Sequence, residues 1–204
     1  MARPDGTARR ALGAILLNPP LTTGAATMRN LHVAADVLRC DGVQVANLFT
    51  LPTTDVAEIN QVGRNTLDWE RACPALEQVL MTSHAVVAGW GVSGLYGPAG
   101  AHRRAQAAWV IRRAASAPHL GGLWTLNGEP RHPSRWHQYV SDRHGRTSGA
   151  SLRDRLASVL RFVDFVPTDL HADDYACLVA PRRRGTTDAV ASAAAWDSSG
   201  RTSP

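Results

Sequence analysis

The stretch Ala14-Ile-Leu-Leu-Asn-Pro-Pro-Leu-Thr-Thr23 runs four apolar residues straight into Asn18-Pro19-Pro20. An apolar run without alternation is the pattern of a parallel strand covered on both faces. Two prolines then forbid further ladder bonds, so the strand stops abruptly. Asn18 is thereby expected at the carboxyl end of a buried strand, where open α/β sheets take their ligands.

Outward from this stretch the chain alternates strand and helix. Residues 1–10 are a polar, charged lead-in. After the loop from Pro19 to Thr27, with Thr27 as the expected N-cap, Met28, Leu31, Ala35 and Leu38 recur at helical spacing, predicting an amphipathic helix from Met28 to Cys40. Val43 to Phe49 reads as a second strand and Val56 to Val62 as a short helix capped from Thr53-Thr54-Asp55. A longer helix is expected over Thr66 to Met81, with Pro74 either a kink or the first turn of a second piece. Ala85 to Gly91 forms a third strand, Ala101 to Ser116 a helix, Leu120 to Thr125 a fourth strand, and Leu152 to Leu160 one more helix. This order predicts an α/β fold: a three-layer α/β/α sandwich around a mostly parallel four-stranded sheet. A single domain is expected over residues 11–165, then a packed extension over 166–181 containing the apolar run Tyr175 to Ala180, and a disordered tail over 182–204.

Composition narrows the class. The chain has 204 residues, enough for one sizeable core, and no apolar stretch of membrane-spanning length. No apolar signal-peptide core precedes the first strand, so a cytoplasmic location is the expectation. Cys40, Cys73 and Cys177 are scattered without metal-like spacing and read as reduced structural thiols. All 22 basic residues are arginine, which GC-rich coding explains more readily than phosphate recognition does. The net charge of +5 permits a nucleic-acid partner without requiring one. The histidines, aspartates and cysteines do not cluster at ligand spacings, although His132, His137 and Asp142 form a loose set; no metal or cofactor is expected. There is no Gly-x-Ser-x-Gly elbow or phosphate loop, and Gly89 to Gly94 reads as a tight turn.

Three strand ends carry residues able to do chemistry: Asn18-Pro19, Asn47 and, past the fourth strand, His132-Pro133-Ser134. The strands of a parallel sheet point the same way, so these groups should share one rim. Leu17-Asn18-Pro19, Val45-Ala46-Asn47, Gly89-Trp90-Gly91 and His132-Pro133-Ser134 occur in an order that resembles the uracil-DNA glycosylase superfamily. A closer resemblance is to small bacterial and phage proteins grouped as domain of unknown function 1643. It is carried by Leu17-Asn18-Pro19-Pro20, Asn47-Leu48-Phe49, Trp90-Gly91 and Gly128-Glu-Pro-Arg-His-Pro133. Pro20 departs from that pattern, which has Ser there, and the segment beyond Val140 is additional.

The glycosylase resemblance implies roles that physical chemistry can fill. Breaking a base–sugar bond builds positive charge on the sugar and negative charge on the departing base. Asn18 would hold a water through its amide oxygen, and His132 would donate a hydrogen bond to the base oxygen. Asn47 would read one edge of the base, and Phe49 or Trp90 would stack on it, a contact worth about 1–3 kcal/mol per base. Arg131 and Arg135 would grip a phosphate, with Pro19 and Ser134 completing the binding residues. Each residue also has a structural reading: Asn18 as a turn cap, Asn47 as a loop tether, Phe49 and Trp90 as core, the arginines as solvated loop residues. Trp136 either intercalates or folds back on the domain. The expected function is a glycosylase-like protein recognising a nucleobase, nucleoside or nucleic acid and cleaving an N-glycosidic bond. The alternatives are a non-catalytic nucleotide or nucleic-acid binding module, and a small-molecule enzyme of specialised metabolism. Oligomeric state is open.

Overall fold

The computed structural model describes residues 9–92, 94–140 and 150–164. The lead-in up to residue 8, the extension over 166–181 and the tail over 182–204 lie outside the described residues, as do Asp142, Cys177 and residues 175–180.

Ala11–Leu16 forms β1, central in the sheet and buried along almost its whole length because both faces of the sheet are covered. Its neighbours are β2 (Gly42–Asn47) and β3 (Ala85–Gly89), both parallel to it, and β4 (Gly122–Leu126) follows, parallel to β3. The four-strand expectation is corrected by β5 (Leu160–Asp164), which runs antiparallel along β4 from Leu126↔Leu160 to Gly122↔Asp164. The sheet is therefore mixed and five-stranded, in the order β2-β1-β3-β4-β5.

Helices cover both faces. On one lie α1 (Ala25–Val37), α6 (His137–Val140) and α7 (Leu152–Val159), over a cluster including Leu12, Ala14, Leu16, Leu31, Val87, Trp136 and Leu156. On the other lie α2 (Val56–Val62), α3 (Leu67–Glu70), α4 (Cys73–Thr82) and α5 (Gly97–Ser116), over Ile15, Phe49, Trp69, Leu76, Val86 and Val110. The parity of β1 explains the split, since successive side chains point to opposite faces. Gly13 lets α4 come close: a Cβ there would lie 2.5 Å from Ser83 Oγ and 2.7 Å from Val79 Cγ1.

Several boundaries differ from expectation for identifiable reasons. Gly24, at φ 62°, precedes α1, so Thr27 falls inside the first turn and is not the N-cap. The helix stops before Cys40 because Arg39 adopts φ 55° and Cys40 N–H closes back on the Ala35 carbonyl. The expected helix over Thr66 to Met81 is two pieces, with Pro74 in the first turn of α4, where a missing N–H costs nothing. α5 starts at Gly97 and not at Ala101. Among the described residues no helix is long and apolar enough to cross a membrane.

Candidate functional site

Beyond the carboxyl end of β1 the backbone continues as Leu17-Asn18 beside Leu48-Phe49, whose N–H groups bond the Leu16 and Leu17 carbonyls. Asn18 then turns its side chain onto the loop after β2. Its Nδ2 lies 3.0 Å from the Pro19 carbonyl, 3.3 Å from the Thr53 carbonyl and 3.0 Å from Thr53 Oγ1. Two backbone carbonyls can only accept, so the nitrogen must be the atom facing them. The Asn18 Oδ1 is left as an acceptor on the other side.

The His132 loop is pinned from several directions. Gly91 N–H donates to the Pro130 carbonyl at 2.6 Å, buried Asn30 of α1 donates to the Pro133 carbonyl at 2.8 Å, and Trp136 Nε1–H donates to the Arg131 carbonyl at 2.8 Å. Gly89 makes room for the loop, because a Cβ there would lie 3.0 Å from Pro133 Cδ and 2.8 Å from Leu16 Cδ2. Trp136 is 1% exposed, folded back into the domain rather than available to intercalate.

His132 precedes a 3-10 turn, Pro133–Arg135, and its Nδ1 sits 2.8 Å from Ser134 Oγ and 3.3 Å from the Ser134 backbone nitrogen. A backbone N–H donates, so Nδ1 is the acceptor and the neutral ring carries its proton on Nε2. Burial, reinforced by the Arg135 charge, holds the imidazole below its ordinary 6.5. The result is a neutral N–H donor at neutral pH.

Asn18 and His132 line a common cleft of about 580 Å³ with Leu17, Ile59, Trp90, Ser134 and Tyr139. Arg131 and Arg135 are in its wall. Arg131 is partly engaged: its guanidinium lies 4.1 Å over the Tyr139 ring, bonds the Tyr139 hydroxyl and pairs with Glu129. Arg135 is exposed.

Other expected binding residues are elsewhere. Phe49 is 0% exposed, its ring centroid 4.8 Å from that of Trp69, so it is core and not a stacking platform. Trp90 belongs to the same core cluster yet contributes to the cleft wall. Asn47 pairs with Leu16 at the end of β2 but is outside the cleft lining, and its buried Oδ1 has no hydrogen-bond partner among the described residues. Pro19 contributes its carbonyl to Asn18 rather than a surface to the cleft.

Residues that sequence reasoning missed as site-formers are Thr53, which fixes the Asn18 amide, Asn30, which fixes the His132 loop, and Gln138 and Tyr139 in the wall. Gln138 and Tyr139 follow His132-Pro133-Ser134 by one to two helical turns, which is the signal that would have found them. Asn30 carried no signal, being one polar residue on a helix far away in the chain. Asp55 also lines the cleft, with its Oδ1 accepting Glu58 N–H at 2.9 Å as the N-cap of α2. A second concavity, about 460 Å³, lies among Arg10, Arg39 and Arg153, and Arg10 leads into the amino end of β1. Among the described residues no group of three or more His, Cys, Asp and Glu is arranged to hold a metal.

Comparison with curated proteins and with solved structures returns no match. A family model, described as "Protein of unknown function (DUF1643)", matches residues 3–134, a span that takes in β1 to β4 and the Pro-Arg-His-Pro loop; the chain belongs to that family.

Proposed function

We propose that the chain is a glycosylase-like protein whose cleft takes a nucleobase, as nucleoside or nucleic acid, and cleaves its N-glycosidic bond. The geometry that carries this reading is His132, with Nδ1 held by the Ser134 N–H and its proton therefore on Nε2, lining one cleft with Asn18. The order of the Asn18-Pro19, Asn47, Trp90-Gly91 and His132-Pro133-Ser134 segments, which resembles the uracil-DNA glycosylase superfamily, supports the same reading.

The chemistry follows from the two groups. As the bond between C1′ and the base nitrogen breaks, its electron pair goes to the base and negative charge builds on the base oxygen. A neutral N–H donor stabilises that charge by a hydrogen bond while keeping its own proton, and its benefit grows towards the transition state. A water donating a hydrogen bond to Asn18 Oδ1 adds through its oxygen to the electron-poor C1′, keeps one proton as the new hydroxyl and releases the other to solvent or to the departing base. Trp90 and Ile59 give the base an apolar wall. Gln138 offers the donor–acceptor edge that Asn47, outside the cleft, does not. A non-catalytic binding module is favoured by one observation: Asn18 is an amide whose nitrogen is already committed to Thr53 and Pro19.

Incubating the full chain with nucleosides, nucleotides and uracil- or lesion-containing oligonucleotides, and assaying free base, separates the two. Turnover that falls about 10²- to 10³-fold in His132→Ala supports the enzyme. Ligand binding with no released base supports the module, and absence of both rejects the nucleobase reading.

A further inference from the structure

Given the nucleobase reading, on which this rests, we infer that the cleft also holds a phosphate subsite, on the wall formed by the 3-10 turn and α6, with Arg135 as its anchor. The cleft lining has two unlike parts. Leu17, Ile59, Trp90 and Val92 supply the apolar one, suited to a base. The other follows from the Arg131–Tyr139 segment and carries two guanidinium groups.

The two arginines are not equivalent. Arg131 is held by Glu129 and Tyr139, and its Nε is buried without a hydrogen-bond partner among the described residues. It acts as a positioning residue that fixes the Tyr139 ring. Arg135 is exposed at the cleft, and no ion pair to it exists among the described residues. Its charge is felt inside the cleft, since it contributes to keeping the His132 imidazole neutral. A guanidinium presents a planar fork that matches two phosphate oxygens. Asp55, the carboxylate in the lining, belongs to the loop after β2, so an anion is directed away from it towards Arg135. The shared chemistry is a phosphate ester next to a base, whether a monoester on a free nucleotide or a diester within a strand. The rim favours neither alone.

The test is calorimetric titration of the full chain at pH 8, where His132 is neutral with or without Arg135. The probes are uridine, adenosine, their 5′-monophosphates, a ten-residue oligothymidylate and inorganic phosphate. Phosphorylated probes should bind at least about tenfold tighter than the nucleosides, as expected for a charge-assisted pair. Arg135→Gln should abolish that gain. A gain for the monophosphates assigns the monoester and a gain for the oligonucleotide alone assigns the diester; either supports the subsite. A phosphate that adds less than about threefold, or a gain that survives Arg135→Gln, overturns it while leaving the nucleobase reading intact. Arg135-dependent binding of inorganic phosphate with no nucleoside binding retains the subsite and rejects the nucleobase. Silence from every probe overturns both.

Discussion

Asn18 shows how much one amide can decide. Its Nδ2 faces the Pro19 and Thr53 carbonyls, which can only accept, and also Thr53 Oγ1. Asn18→Asp should therefore cost about 1–3 kcal/mol at neutral pH, because a carboxylate would leave the two carbonyls unpaired and repelled. The loss should shrink as the pH falls and the new carboxyl takes up a proton, which thermal melts at pH 4 and pH 7 would reveal. An equal loss at both would contradict the assignment of the amide. That Asn18, His132, Arg131 and Arg135 share one cleft was legible because parallel strands must present their carboxyl ends together. Phe49 and Asn47 were misread by the same argument: it places a residue at the rim but says nothing of which way its side chain turns. Phe49 points into the Trp69 cluster, and Asn47 ends β2 outside the cleft lining.

At the scale of elements, the His132 loop is a rigid insert held between β3 and α1. Gly89 in β3 and Asn30 in α1 are its two supports, one by absence of a side chain and the other by a buried hydrogen bond to Pro133. Gly89→Ala should displace Pro133 and lower activity or ligand affinity without unfolding the sheet; Asn30→Ala should cost about 1–3 kcal/mol by orphaning the Pro133 carbonyl. Chemical denaturation together with a binding isotherm distinguishes the two effects, and a neutral outcome for both would mean the loop is held by other contacts. The elements β1, α2 and β3 were plain from apolar runs, caps and prolines. β5 was not, because α7 passes directly into it at Leu160 with no glycine or proline between them. Its pattern is also weak, since Leu160 is buried and Arg161, Phe162 and Asp164 are exposed, as befits an edge strand.

For the whole molecule, protonation links the site to stability. The folded chain holds His132 below 6.5, while the unfolded chain binds a proton near that value. The unfolded state thus carries more protons just below pH 6.5, so the contribution of His132 is complete above 6.5 and is lost as the pH falls towards the folded value. Burial raises the Cys40 and Cys73 thiols above 9.0, so their contribution is complete below 9.0 and lost as the pH rises beyond it. Denaturation midpoints should accordingly be flat between these limits as far as these three groups are concerned, and His132→Gln should remove part of the acid-side decline. The central claim is a neutral His132 whose Nε2–H faces a nucleobase, and imidazole ¹⁵N NMR tests it most directly. The expected result at pH 7 is a His132 ring protonated on Nε2 alone, with that resonance moving when a nucleoside is added. A ring protonated on Nδ1, or an Nε2 signal indifferent to every nucleoside, would contradict it.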